Sequence, residues 1–246
     1  MGPDSRRRRA AGVLAAALTL GATGPARAVV GGAEAPPGGS VMVLSSNGGV
    51  CTGVVVAEGA VLTAGHCAAP GVEHRVHFRD EAGQPVLIDL VARAVHPGYD
   101  AGAVAGRRRS IDLALLRVKS LPARFPPETL SAAMPRAGQS LTLGGYGAGR
   151  ANDPRSTGTF RRVALDVVEP HGPSRILVWL KGAGGKSGGC SGDSGGPVSG
   201  DGAVLAVAAW NAGTCGGLTQ GVLLGPQRDW LDRTLSGWGL AAKWSG

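Results

Sequence analysis

No apolar run after residue 28 approaches the ~20 residues that a membrane-spanning helix needs, so no membrane anchor is expected. There is no C-x-x-C pair, and one His-Cys dipeptide does not supply four tetrahedral ligands, so a structural zinc site is a poor reading of the four cysteines. There is no internal repeat at a fixed period. There is no G-X-Y period either, so the 43 glycines are not collagen. Charge is sparse, at 17% of residues against 43% hydrophobic, which argues against global disorder and for a packed core. Scattered glycine argues against long helices and for many tight turns, because glycine is costly inside helices and cheap at positive φ.

What is present begins with a basic excess. The 246 residues, enough for one large domain or two small ones, carry 25 Lys+Arg against 17 Asp+Glu, a formal charge of +8. That balance invites a nucleic-acid reading. The amino terminus removes most of its force. Arg6 to Arg9 form a basic run, residues 10–23 carry no charge, and Ala26-Arg27-Ala28 is a small-x-small triplet. Basic region, short apolar region and cleavage triplet in that order describe a secretory signal peptide at 1–28. Ser5-Arg6-Arg7 leaves a twin-arginine export route open beside the general one. Cleavage after Ala28 discards five Arg and one Asp, leaving 20 basic and 16 acidic groups and a net charge of +4. A secreted chain with no nucleic-acid partner is expected.

The remainder reads as short β segments. Val41–Leu44, Val54–Val56, Val61–Thr63, Val86–Leu90, Leu113–Val118, Leu141–Leu143, Val163–Val168, Ile176–Leu180, Val204–Trp210 and Val222–Leu224 are apolar runs separated by turn residues. Their spacing suggests an all-β sandwich or barrel. Only Pro226 to Leu235 looks helical, with Pro at its start and Trp230, Leu231 and Leu235 able to share a face. Lys119 to Gly138, rich in Pro and Ala, is the best linker between two halves, 29–125 and 126–246 with an approximate boundary. Four cysteines in an exported chain imply disulfides. Three pairings are possible, and local ones, Cys51 with Cys67 and Cys190 with Cys215, are favoured because each pair brackets an apparent hairpin.

The string carrying chemistry is Cys190-Ser191-Gly192-Asp193-Ser194-Gly195-Gly196-Pro197. It contains G-x-S-x-G, shared with the nucleophile elbow of α/β-hydrolases. That fold places its catalytic His after the Ser, and no His follows Ser194; the last is His171. A serine hydroxyl needs a base to become a good nucleophile. Of His66, His74, His77, His96 and His171, only His66 sits in an informative string, Leu62-Thr63-Ala64-Gly65-His66-Cys67. A base in turn needs a buried acid to fix its tautomer and stabilise the imidazolium. Asp112 is the one acid in the apolar run from Ile111 to Leu116, where it would be costly unless paired. The chain order is His, Asp, Ser.

These strings, with Val29-Val30-Gly31-Gly32, resemble the chymotrypsin family of serine endopeptidases, in order and over nearly the whole of 29–246. The resemblance implies an all-β fold of two six-stranded antiparallel barrels, with the active site in the cleft between them and a short C-terminal helix. It implies Ser194 as nucleophile, His66 as base and Asp112 as its orienter. The N–H groups of Gly192 and Ser194 would form the oxyanion hole. A freed Val29 ammonium would pair with Asp193 and order the oxyanion loop. Relatives usually carry Arg or Lys before the new terminus. Here Ala28 stands there, so signal cleavage alone would release an active Val29; a cut after Ala26 would instead leave a pro-dipeptide.

The resemblance builds the specificity pocket from Gly188, Gly189, Ser191, Ala209, Trp210, Asn211 and Gly221. Its base is Gly188 where trypsin-like enzymes carry Asp, so cleavage after Arg or Lys is not supported. Asn211 stands where open pockets have Gly, and either narrows the entrance or faces outward as a turn residue. A small or medium uncharged P1 residue is expected. Ala209 replaces a Ser that in the family bonds the triad acid. Leu218 to Leu224 shows none of the family's common polar floor residues. No cofactor or metal is expected. The partners are a polypeptide substrate and protein inhibitors, and the enzyme is expected to be a monomer. Arg107-Arg108-Arg109 and Arg161-Arg162 read as solvated surface, and Asp80-Glu81 is too sparse for a calcium loop. Gly185-Lys186-Ser187 lacks the leading Gly of a phosphate-binding loop, since Leu180 stands there. The competing function classes are a non-catalytic binding homologue of the same fold and a basic nucleic-acid binder.

Overall fold

A computed structural model describes residues 29–106, 108–150, 153–168 and 175–245. The expected signal peptide, Arg107 and His171 lie outside the described residues.

The first barrel is closed by β2 (Ser40–Ser45), β3 (Val50–Ala57), β4 (Ala60–Thr63), β5 (His74–Arg79), β6 (Pro85–Val95) and β7 (Ala114–Val118), in the order β2-β3-β4-β7-β6-β5 and antiparallel throughout. Its interior is Val41, Val43, Val55, Val61, Val76, Phe78, Ala114, Leu116 and Val118, inward residues of alternating or wholly buried strands. The β3–β4 hairpin turns at Glu58-Gly59, where Gly59 takes φ +72. The short helix α1 (Ala103–Gly106) lies in the connection between β6 and β7.

The second barrel uses β9 (Ser140–Gly145), β10 (Arg161–Val167), β11 (Leu177–Lys181), β12 (Pro197–Gly200), β13 (Ala203–Ala212) and β14 (Leu218–Leu223). The order β12-β9-β10-β11-β14-β13 closes through β12 pairing with β13, again antiparallel. Two short strands, β8 (Leu130–Ser131) and β15 (Trp244–Ser245), extend β13 in parallel. β1 (Ala33–Glu34) crosses to pair with β10, so the amino-terminal segment joins the second sheet. Its core gathers Val29, Leu141, Leu143, Leu165, Leu180, Val198 and Leu223. The expected helix is present: a 3-10 turn at Gly225–Gln227 leads into α2 (Arg228–Gly237), which buries Leu231 and Leu235.

One apolar cluster bridges the barrels, from Val54, Leu62, Leu113 and Leu115 to Val207, Ala209 and Val222, with Leu231 and Leu235 of α2 in the same cluster. Burial of a Leu or Val side chain is worth about 1.5–3 kcal/mol, so the cluster holds the two barrels in fixed register across the cleft.

Candidate active site

The first barrel delivers two residues. After β4, a single 3-10 turn (Gly65–Ala68) carries His66 to the cleft, and Asp112 lies two residues before β7. His66 Nδ1 is 2.7 Å from Asp112 Oδ2, and the His66 backbone N–H donates to Asp112 Oδ1 at 2.8 Å. Both oxygens of a fully buried acid are therefore engaged by one residue. The His66 side chain is about a third exposed, toward the cleft. Gly65 is packed without room for a side chain: a Cβ there would lie 3.0 Å from Asp112 Oδ1 and 3.1 Å from the Tyr99 ring. Burial, then the charges of Asp112 and Asp100, push the Tyr99 phenol above its ordinary range.

The second barrel delivers Ser194. Its hydroxyl donates a long 3.5 Å bond to the Ala209 carbonyl, and no hydrogen bond joins it to His66 among the described residues. The two nevertheless line one open cleft of about 350 Å³ with Ser191, Trp210 and Asn211. Such contacts are commonly loose without substrate and tighten when it binds. Neither the Gly192 nor the Ser194 N–H finds an acceptor among the described residues. Unpaired N–H donors at a serine and two residues before it are what a developing oxyanion would need.

Thr52, on β3, fastens this loop to the first barrel, and the sequence reading missed it. Its hydroxyl donates to the Gly192 carbonyl at 2.9 Å and accepts from the Tyr146 N–H at 3.0 Å, and its N–H donates to the Ser194 carbonyl at 2.8 Å. The signal was a polar residue inside the buried run that follows Cys51. Gly195 takes φ +85, and a Cβ there would lie 2.0 Å from the Thr52 carbonyl, so the barrels interlock at a point that admits only glycine.

Asp193 is buried behind the loop. Oδ1 accepts the Gly147 N–H at 2.8 Å and Oδ2 the Cys190 N–H at 2.9 Å. Burial pushes its carboxyl up to about 7 from an ordinary value near 3.8; those two N–H donors, and then the charge of Arg161, pull the other way. Val29 is fully buried in the same barrel, and Val30 forms a bridge with Gly188, whose N–H donates to the Val30 carbonyl at 3.0 Å. The amino-terminal segment is thus bonded to the floor of the expected pocket.

The trypsin family model matches residues 29–230. The chain belongs to the trypsin family and is a serine endopeptidase. Human kallikrein-8 is 29% identical over 178 residues, covering 68% of each chain. Trypsin 5G1 of Aedes aegypti is 28% identical over 230 residues, covering 82% of this chain and 83% of that protein. Among solved structures, the mouse-brain protease neuropsin aligns with a TM-score of 0.71 at 22% identity, covering 84% of this chain and 99% of that one. Human heparin binding protein aligns at 0.70 and 23% identity, covering 85% and 97%. Both share the fold.

Both disulfides of this trypsin-family protease are local, Cys51–Cys67 and Cys190–Cys215. The first flanks His66 and the second flanks the pocket. Cys51, His66 and Cys67 lie close enough to suggest a metal cluster, but the two sulfurs are bonded to each other and offer no thiolate.

Its pocket sharpens the sequence expectation at Asn211 and adds a polar group at Thr219. Asn211 is exposed but not turned away: its Oδ1 lies 2.7 Å from where a Gly189 Cβ would be, so the amide crosses toward the opposite wall. Thr219 supplies a polar floor group that Leu218 to Leu224 was read as lacking. It is buried, its Oγ1 accepts the Gly189 N–H at 2.8 Å, and it lies 2.9 Å from a Gly188 Cβ position. Gly221 lies two residues after Thr219 on β14 and so on the same face of the strand; a Cβ there would lie 3.3 Å from Val178 and from Ala206.

A correction lies outside the pocket. Arg161, read as solvated, is buried, whereas its neighbour Arg162 is exposed. Adjacent strand residues face opposite sides of a sheet, so one Arg of the pair must point in. Arg108 and Arg109 are exposed as expected, with Arg108 paired to Asp100 at 2.7 Å. Asp80 caps a turn through the Ala82 and Gln84 N–H groups.

Proposed function

We propose that this serine endopeptidase is exported, loses residues 1–28, and acts as a monomer of two barrels, 29–125 and 126–246. Its targets are bonds after small or medium uncharged residues, and protein inhibitors are the natural competitors for its cleft. Ser194 attacks the scissile carbonyl while His66 takes its proton and then delivers it to the leaving amine. Asp112 holds the imidazole in place and stabilises its charged form. The N–H groups of Gly192 and Ser194 receive the developing oxyanion, where one such donor is worth about 3–4 kcal/mol. The freed Val29 ammonium pairs with Asp193.

The observation that carries this reading is the His66–Asp112 pair facing a serine flanked by two N–H groups with no acceptor. A pocket floored by Gly188 and Thr219, without an acid, and narrowed by Asn211 supports small uncharged P1 residues. An organofluorophosphonate should label protein with a verified Val29 terminus, and should not label Ser194→Ala. Failure of the first would favour a non-catalytic binding homologue. Chromogenic peptides then test the pocket: dominant cleavage after Arg or Lys would sink the P1 assignment. Amino-terminal sequencing tests activation, since fully active enzyme starting at Ala28 or earlier is incompatible with direct release of Val29.

A further inference from the structure

Asp193 is a buried acid whose two oxygens each accept a backbone N–H. An ionised carboxylate is acceptor-only and suits an arrangement of two N–H donors, one to each oxygen. The two donors favour the charged form, and a charged buried group needs a cation. Arg161 is placed to be one. It pairs across the sheet with Gly145, so the two residues point to the same side, with Cβ positions about 5 Å apart. The space that a Gly145 Cβ would fill is occupied by Asp193 itself, whose Oδ1 is 2.1 Å from that position. The Arg161 side chain is 3% exposed, and its Nε has no hydrogen-bond partner. Its guanidinium is engaged by a 3.1 Å contact to Glu34, a carboxylate 60% exposed, and by a 3.4 Å bond to the Thr159 carbonyl. A contact to so exposed an acid holds the guanidinium weakly.

We propose that Arg161 is a second, internal counter-cation for Asp193. It is a positioning residue that keeps the Ser194 loop partly ordered when the Val29 amine is absent or uncharged. Glu34 competes for it and limits this effect. The charged groups around Asp193 are then Arg161 of β10, Glu34 of β1 beyond it, and the amine of Val29 from the amino-terminal segment. The β9–β10 loop and Cys190 contribute backbone N–H groups. The proposal rests on the protease reading above and on the pairing of Val29 with Asp193.

The test uses two forms of the chain, one starting at Val29 and one carrying an uncharged Ser-Ala extension before it. Labelling of the Val29 form by an organofluorophosphonate establishes the protease reading independently. The extended form should retain measurable kcat/KM, and Arg161→Met should lower it at least about tenfold further than it lowers the Val29 form. Arg161→Lys should restore part of the loss, and Glu34→Gln should raise the extended form's activity. In the Val29 form, activity should fall to a plateau, not to zero, above the pH at which the amine loses its proton, and Arg161→Met should remove the plateau. Equal activity of the extended chain with and without Arg161, or no activity in the unmutated extended chain, overturns the proposal. Arg161→Met could act by misfolding. The Val29 form of that variant, titrated at neutral pH, separates the cases: a normal titre with a lost plateau supports the proposal, and a lost titre recovered by Arg161→Lys without any plateau overturns it.

Discussion

Among the described residues two acids are buried, one belonging to each half of the active site, and they are satisfied in opposite ways. Asp112 has a committed partner: His66 reaches it through both backbone and ring, and both contacts come from the first barrel. Asp193 accepts backbone N–H groups from Gly147 and Cys190 and has no salt bridge within 4.0 Å among the described residues. A buried acid that is already paired makes a permanent piece of machinery. One whose cation arrives later makes a switch, because its loop is costly to order until the charge is balanced. On the proposed reading the two halves of the cleft divide labour, the first fixed by folding and the second completed by cleavage.

The largest effect should come from breaking the fixed half. Asp112→Asn keeps the shape but cannot hold His66 in the required tautomer, and kcat should fall about 10⁴-fold. Far-ultraviolet spectra and Val29 burial should be unchanged. A loss of less than tenfold would show that Asp112 does not orient the base.

The switch half should instead reveal itself in stability. Asp193 is pushed up to about 7, chiefly by burial. An unfolded Asp gives up its proton near 4, so between about pH 4 and pH 7 the folded state of an amino-terminally extended chain binds the extra proton. Unfolding is then favoured by raising the pH. The extended chain should lose stability across that window, by up to a few kcal/mol. If Val29 pairs with Asp193 as proposed, freeing it should lower the Asp193 value and remove the loss. Denaturant melts of both forms at pH 5 and pH 8 check this. An extended chain that is no less stable at pH 8, relative to the Val29 form, would contradict the raised value of Asp193 in the extended chain.

These differences bear on what could be read in the sequence. Apolar runs such as Val54–Val56, Leu113–Val118 and Val204–Trp210 landed on strands, because a buried strand must be apolar whatever it pairs with. The order of His66, Asp112 and Ser194 was equally legible. β5 was not found: His-Arg-Val-His-Phe-Arg has only Val76 and Phe78 as apolar inward residues, and period-two alternation was its one signal. Thr52, Thr219 and Arg161 escaped for another reason. Each is defined by partners far along the chain, Thr52 by Gly192, Thr219 by Gly189, Arg161 by Glu34 and Gly145. Local pattern carries hydrophobic burial well and long-range polar pairing poorly. The acid with a committed partner was therefore easier to interpret than the acid whose partners lie on three separate segments.

A smaller prediction separates loop order from pocket shape. Asn211→Gly removes an amide lying against Gly189 without touching Asp193 or its donors. Labelling of Ser194 should be unchanged, while kcat/KM for larger P1 residues should rise about tenfold relative to Ala, the scale of one or two methylenes in a pocket. An unchanged P1 profile would return Asn211 to the role of a surface residue.

The smallest effect should come from strengthening the half that is already committed. Each Asp112 oxygen takes one donor from His66, yet an ionised carboxylate has about four acceptor sites. By the family resemblance, Ala209 stands where a Ser directed at the triad acid is expected. A hydroxyl there would add one donor, from the second barrel, to an acid otherwise held wholly by the first. A neutral hydrogen bond is worth about 1 kcal/mol, so Ala209→Ser should raise kcat by no more than about fivefold. The gain should disappear in the Asp112→Asn background, where the new donor no longer meets a charge. An equal gain in both backgrounds would place the effect in packing around Ser194, whose hydroxyl contacts the Ala209 carbonyl, and leave Asp112 fully satisfied by His66 alone.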